Sequence, residues 1–317
     1  MKTAADVVAG FQSVFGKHPG YRPGERYSSL TLECKLTTIL AHAKGEIFSG
    51  TFTPSEEAKK LSIAPHFNNP STPVWVRFSN STGIPNIPDT DPYGDPRGIA
   101  IRFHLGGRKH TDIISHSVDF FPTRTGAEFL EFLQALMGGT AGEFLGSHPP
   151  AMAFVQAPKP PPVSFATLKY FSVTAFKLID ATGKETFIRY QFVPDAGIQS
   201  LDAEAVKEKG PNYLQEELEA RVKNAPIGFK LVAQVAAEGD VTDDATVHWP
   251  ADRPIVELGK FTLDAVVPEN LKEQKYIIFD PIPRVEGVGP SDDPLLEMRA
   301  AIYLISGKQR RAAEYAE

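Results

Sequence analysis

The sequence predicts an α+β fold, an antiparallel β-barrel core with helices laid around it. Two observations carry this expectation. Roughly eight stretches are apolar or alternate apolar and polar residues, with connections short enough for antiparallel neighbours. The helical stretches open at recognisable caps and fall between or after the strands, which suits helices packed outside a closed sheet. No internal repeat or low-complexity segment interrupts the pattern.

With 317 residues, 42% of them hydrophobic, the chain can bury a large core. A net charge of −6 without basic clusters argues against nucleic acid or an anionic membrane surface as a partner. No apolar run approaches the ~20 residues of a membrane span, so stable membrane insertion is not expected. The start, Met1-Lys2-Thr3-Ala4-Ala5-Asp6, lacks the order of a signal peptide. Cys34 is the single cysteine, which excludes an internal disulfide and a Cys-rich zinc or iron–sulfur site. A cytoplasmic globule is expected.

In chain order, Thr3 and Asp6 form a capping-box-like start to a helix over 3–15, with Val7, Val8, Phe11, Val14 and Phe15 on one face. Gly16, Pro19, Gly20 and Pro23 then break the chain into an extended arm. Stretches 36–40 and 47–52 read as strands. His42 falls at or between their ends, flanked by Ala41 and Ala43 with Gly45 close by. Such a ring can press against a flat partner, and imidazole can pass protons either way near neutrality. Pro54-Ser55-Glu56-Glu57 starts a short helix.

Stretch 74–79 alternates cleanly: Val74, Val76 and Phe78 face one way, Trp75, Arg77 and Ser79 the other. Stretch 98–105 is a second such strand, and 84–97, rich in Pro, Asp and Gly, is a shaped loop between them. A short strand and corner over 112–121 carries Ser115, His116 and Ser117. Thr125 and Glu128 make a capping box for a helix bearing Phe129, Phe132, Leu133, Leu136 and Met137. Stretch 142–155 reads as helical despite Pro149-Pro150, and 158–162 as a polyproline connector. A hairpin follows, 170–179 and 186–193 about a turn at 180–183. Stretch 201–224 is helical and split at Gly210-Pro211, and 227–236 and 255–267 are further strands.

Asp293-Pro294 is a helix start, and the helix runs to about residue 313. Arg299, Tyr303 and Arg310 share one face of it. A tyrosine must ionise to ligate ferric iron, and a guanidinium one turn away stabilises that charge. Tyrosinate is one of the few axial ligands haem proteins use.

These pieces in this order resemble the haem catalases, and within them the small catalase-related peroxidases that keep only the catalase core. The matching residues are His42-Ala43-Lys44-Gly45 with Phe48 and Phe52, Val76-Arg77-Phe78-Ser79, Asp95-Pro96-Arg97-Gly98, Asp112-Ile113-Ile114 with Phe120-Phe121, and Arg299-x-x-x-Tyr303. The resemblance spans essentially the whole chain and implies one catalase-like haem-binding domain over 1–317, with haem b (iron protoporphyrin IX) as cofactor. It implies that His42 is the distal base and that Ser79 fixes its tautomer. Arg77 and Arg310 would pair with haem propionates, and Tyr303 would be the proximal iron ligand with Arg299 as its charge partner. Phe120 would stand at the mouth of the distal pocket, and Phe129 near the haem.

Two departures stand out. Large catalases carry a distal asparagine where this chain has Ser115-His116-Ser117, which makes His116 a candidate catalytic group and favours peroxidase work over rapid disproportionation. An arginine usual three residues before the distal histidine is here Ile39, and 23–40 reads as an insertion after the N-terminal helix and arm of 1–22. The implied activity is reduction of hydrogen peroxide or an organic hydroperoxide by a small organic electron donor. The alternatives are catalase proper, a fatty-acid hydroperoxide isomerase and a non-catalytic haem carrier. A homo-oligomer is compatible with each.

Overall fold

A computed structural model describes residues 3, 5–7, 9–10 and 42–312. The expectations for 11–40, including the strand at 36–40 and the insertion at 23–40, lie outside the described residues. At the N-terminus Thr3 Oγ accepts from the Asp6 amide at 3.2 Å while Asp6 Oδ2 accepts from the Thr3 amide at 2.8 Å, the reciprocal cap the sequence implies. Val7 is buried against Leu130 and Ile302.

Ten strands lie among the described residues: β1 (Gly45–Pro54), β2 (Thr72–Ser79), β3 (Gly98–His104), β4 (His110–His116), β5 (Tyr170–Phe171), β6 (Phe176–Ile179), β7 (Glu185–Pro194), β8 (Ile227–Val235), β9 (Ile255–Val266) and β10 (Val288–Pro290). Neighbouring strands among the described residues are antiparallel, and a β7–β8 pairing closes β1, β2, β3, β4, β5, β7, β8 and β9 into an eight-stranded barrel. Closure removes the free edges that an open sheet would expose. β6 and β10 extend from the far half of β7 outside the ring.

The alternation expected in β2 sets the barrel's inside and outside. Val74, Val76 and Phe78 are buried within, while Trp75 and Arg77 lie half-buried on the outer face. Aromatic rings cluster in the interior among Val, Ile and Leu side chains. Phe52 meets Phe261 at 4.8 Å and the edge of Phe103 at 5.2 Å between ring centroids, in tilted and T-shaped contacts.

Two sequence expectations change. Stretch 170–179 is not one strand. Ser172 Oγ accepts the Tyr190 amide at 2.8 Å and donates to Thr174 O at 3.2 Å, which interrupts the ladder and separates β5 from β6. Stretch 142–155 is two helices, Ala141–Ser147 and Pro149–Gln156, because His148 precedes a proline and is held out of helical geometry at φ −127°, ψ 82°. The helix Gly126–Gly138 has the Thr125/Glu128 capping box in full. Helices Ala203–Lys207 and Tyr213–Asn224 flank the expected break. A helix over Asn270–Tyr276, not anticipated from the sequence, precedes the long C-terminal helix Pro294–Ala312. Among the described residues no helix is long and apolar enough to cross a membrane.

A buried ion pair anchors the start of β1. Lys44 Nζ donates to Asp89 Oδ1 at 2.7 Å, to Ile87 O at 2.9 Å and to Pro211 O at 2.8 Å. Asp89 also accepts from Asn80 Nδ2 at 2.8 Å and from the Leu214 amide at 2.9 Å. Removing one partner of such a pair leaves the other charge buried and uncompensated, so Asp89→Ala should cost roughly 3–5 kcal/mol in urea denaturation. A loss below about 1 kcal/mol would show that Lys44 finds water or sheds its proton.

His66 is buried between Phe67 and Phe103, its Nδ1 without a partner among the described residues. Burial depresses its pKa to about 3. The unfolded chain takes up this proton as pH falls through about 6.5, whereas the folded state does so only near 3. Stability from the neutral ring is therefore present above 6.5 and drains away towards pH 3, by at most about 1.4 kcal/mol per pH unit. His66→Leu should flatten the acid limb of a urea-midpoint against pH plot over that window; an unaltered limb would assign the acid sensitivity elsewhere.

Candidate active site

The register of the barrel puts the site at one end of four adjacent strands. Gly45 pairs with Ser79, Ser79 with Gly98, and Gly98 with His116. His42 folds back over this row. A Cβ on Gly98 would lie 2.7 Å from His42 Cε1 and 2.9 Å from Ser79 Oγ, so only glycine lets the ring sit there. Ser79 Oγ is 3.0 Å from His42 Nδ1.

The His42 backbone has φ +58°, a left-handed conformation that costs a non-glycine residue about 1–2 kcal/mol. Three hydrogen bonds hold it. The amides of His42 and Ala43 donate to Ser81 O and Thr82 O, each at 3.0 Å, and Arg77 Nη2 donates to His42 O at 2.8 Å. The strain is concentrated at the residue whose ring faces the cavity.

Beside this row is a cavity of about 860 Å³, lined largely by apolar side chains such as Ile99, Ile114, Phe132, Met298 and Ile302. Its walls are the outer face of β2–β4, the helix Gly126–Gly138, the segment through Gln274 and Phe279, and the C-terminal helix. Bidentate pairing of Arg102 with Asp112, at 2.7 and 2.8 Å, helps fix that segment, since Arg102 also donates to Ile278 O and Asp112 accepts the Asp280 amide at 2.7 Å.

His42, Ser79, His116, Arg77, Phe129, Arg299, Tyr303 and Arg310 all line this one cavity. Phe120 does not. It turns onto His248 at 4.4 Å and Phe154 at 5.7 Å, and its neighbour Phe121 takes the cavity wall, 4.7 Å from Phe129. The Phe121 amide donates to Ala245 O at 2.8 Å. Ile39 and the segment before it lie outside the described residues.

The electrostatics are unusual for an apolar cavity. Burial, with the charges of Arg77 and Arg299 beside it, depresses the His42 pKa to about 3. His116, its ring centroid 5.3 Å away, is also held well below the usual imidazole value, by burial first and then by His42 and Arg299. Both rings are therefore neutral at pH 7 and able to accept a proton. Burial, and then the Arg310 charge, lowers Arg77 to about 9. Arg299 Nε donates to Tyr303 Oη at 3.3 Å, while Arg299 Nη2 is buried without a hydrogen-bond partner among the described residues.

These features fit an anionic haem. The cavity offers apolar walls for a macrocycle, guanidinium groups for carboxylates, and a phenol oxygen beside a guanidinium. The unpartnered Arg299 Nη2 is a donor suited to an anion in the cavity. The sequence reading missed Gln274, whose amide lies between Arg77 and the chain at Gly45. Its only trace in the sequence is the four-residue spacing from Asn270, in a stretch with too few apolar residues to announce a helix.

A family model described as Catalase matches residues 35–317. The chain is 33% identical over 281 residues to a catalase-related peroxidase of Mycolicibacterium paratuberculosis, covering 86% of this chain and 89% of that one. It is 31% identical over 319 residues to a catalase-related peroxidase of Synechococcus elongatus, covering 97% and 88%. The structure of catalase A from Saccharomyces cerevisiae shares the fold at a TM-score of 0.77 and 20% identity, over 93% of this chain and 68% of that one. A barrel of this topology, with these residues on one cavity and a family match through nearly all the described chain, places this protein in the catalase family.

Proposed function

We propose that this chain is a haem-dependent peroxidase that reduces hydrogen peroxide or an organic hydroperoxide with a small organic electron donor, using b-type haem. The observation that carries the reading is the shared cavity, in which a neutral, Ser79-bonded imidazole and a guanidinium-bonded phenol line the same apolar space. Tyr303 Oη would hold the iron, with Arg299 hydrogen-bonded to that oxygen, and Arg77 and Arg310 would hold the propionates. When bound, the haem supplies the redox chemistry.

The protein's own part is proton handling in a dry pocket. Ser79 occupies His42 Nδ1, which leaves Nε2 as the nitrogen for substrate. A peroxide in the cavity gives a proton to Nε2, and the same nitrogen returns it to the departing oxygen as the O–O bond breaks. The apolar walls keep bulk water from competing for that proton. His116 is the second polar group over the same space; its Nδ1 is buried without a partner and suited to orienting the peroxide. Organic donor turnover without oxygen evolution is the expected activity, and rapid oxygen release without a donor would favour catalase instead.

Tyr303→Phe tests the iron ligand. The reconstituted protein should show a high-spin ferric spectrum of phenolate-ligated haem, and the variant should lose or transform it; an identical spectrum would remove Tyr303 from the iron.

His42→Ala should keep haem yet slow peroxide cleavage by ~10²- to 10⁴-fold in stopped flow. Because His42 is neutral well into the acid range, the wild-type cleavage rate should not fall through pH 6.5 but only as pH approaches about 3. An acid limb centred near 6.5, or equal rates in the variant, would move the base elsewhere, with His116 the next candidate.

A further inference from the structure

We propose that Gln274 is the positioning residue that holds Arg77 and Arg310 as one doubly cationic arm for a ligand carrying two carboxylates, and that it orients Arg77 without supplying a neutralising charge. The inference rests on the haem reading above, in which the two carboxylates are the propionates.

One residue serves both guanidinium groups. Gln274 Oε1 accepts from Arg77 Nε at 2.7 Å, and the Gln274 backbone carbonyl accepts from Arg310 Nη1 at 2.8 Å. Arg310 Nη2 donates to Ile277 O at 2.8 Å, one turn further along the chain. The amide itself cannot turn freely, because Gln274 Nε2 donates to Gly45 O at 3.0 Å and to Asn270 Oδ1 at 2.7 Å. Asn270 in turn grips β1, donating from Nδ2 to Ile47 O at 2.7 Å and accepting from the Ile47 amide at 3.1 Å. A rigid strand thus fixes Asn270, Asn270 fixes Gln274, and Gln274 fixes the two arginines.

The choice of amide matters. Arg77 forms no ion pair with a carboxylate among the described residues; its partners are an amide oxygen and the carbonyls of His42 and Ala43. A neutral acceptor orients a guanidinium while leaving its full charge for an incoming anion. A glutamate at 274 would pair with Arg77 in advance, and a ligand carboxylate would have to displace it. Arg77, Gln274 and Arg310 all line the cavity, so the arm faces the space where the ligand binds. The mutual influence of the two charges on Arg77 also places them near each other.

The experiment titrates the haem-free protein with haem and, separately, with haem dimethyl ester, whose carboxylates are capped. Wild type should bind haem more tightly than the ester. Gln274→Met keeps the side-chain volume and removes the amide, and should weaken haem by roughly ten- to a hundredfold. Gln274→Glu can still accept from Arg77 and should weaken haem at least as much. Ester affinity should change in neither, and thermal melts of the haem-free variants establish that both are folded; should one not fold, the other carries the test. Haem affinity unchanged in the folded variants, or haem and ester weakened in parallel, overturns the proposal. Wild type that binds haem and ester equally overturns it while leaving the haem reading standing. Wild type that binds neither overturns the haem reading, and this inference with it.

Discussion

The buried Lys44–Asp89 ion pair ties together the stretches of chain from which the site is built. Lys44 belongs to the approach to β1, Asp89 to the loop after β2, and Pro211 and Leu214 to the edge of a helix more than a hundred residues later. Asn80, bonded to Asp89 through its side chain, donates its amide to Lys44 O at 3.0 Å. The next two residues, Ser81 and Thr82, offer the carbonyls that hold His42 and Ala43. A charged pair taken out of water needs several such partners to be tolerated, and here they are shared with the strained turn at His42. The stability of the barrel end and the aim of the imidazole are thus one structure.

A second constraint is the gathering of guanidinium groups around apolar space. Arg77, Arg299 and Arg310 line one cavity, with Arg77 half-buried and lowered to about 9. Cations so placed favour anions and disfavour further positive charge. Burial is the main reason His42 and His116 stay unprotonated, and the field that prepares the cavity for carboxylates adds to it, since Arg299 acts on both. Anion capture and base character are therefore linked through Arg299, on top of the burial that both rings share.

The sequence alone determined most of the fold and which side chains meet on the cavity. Alternation in Val74–Phe78 told inside from outside because side chains of a strand point to opposite faces in strict turn. The Thr125/Glu128 cap and the Asp293-Pro294 start were legible because capping is a local matter of a few consecutive residues. Arg299 and Tyr303 met as expected because helical spacing fixes an i,i+4 pair without any help from the rest of the chain.

Only the tertiary structure decided the rest. That β7 closes on β8, that Gly98 makes room for His42, and that His116 stands 5.3 Å from it all depend on how separate elements pair and pack, which no local spacing fixes. Whether Phe120 or Phe121 faces the cavity depends on the rings each packs against, His248 for Phe120 and Phe129 for Phe121, and no property of two adjacent phenylalanines distinguishes them beforehand. Gln274 was invisible for the same reason. Its significance lies in a hydrogen bond to Arg77, 197 residues away, and contacts of that range are set by packing rather than by local spacing.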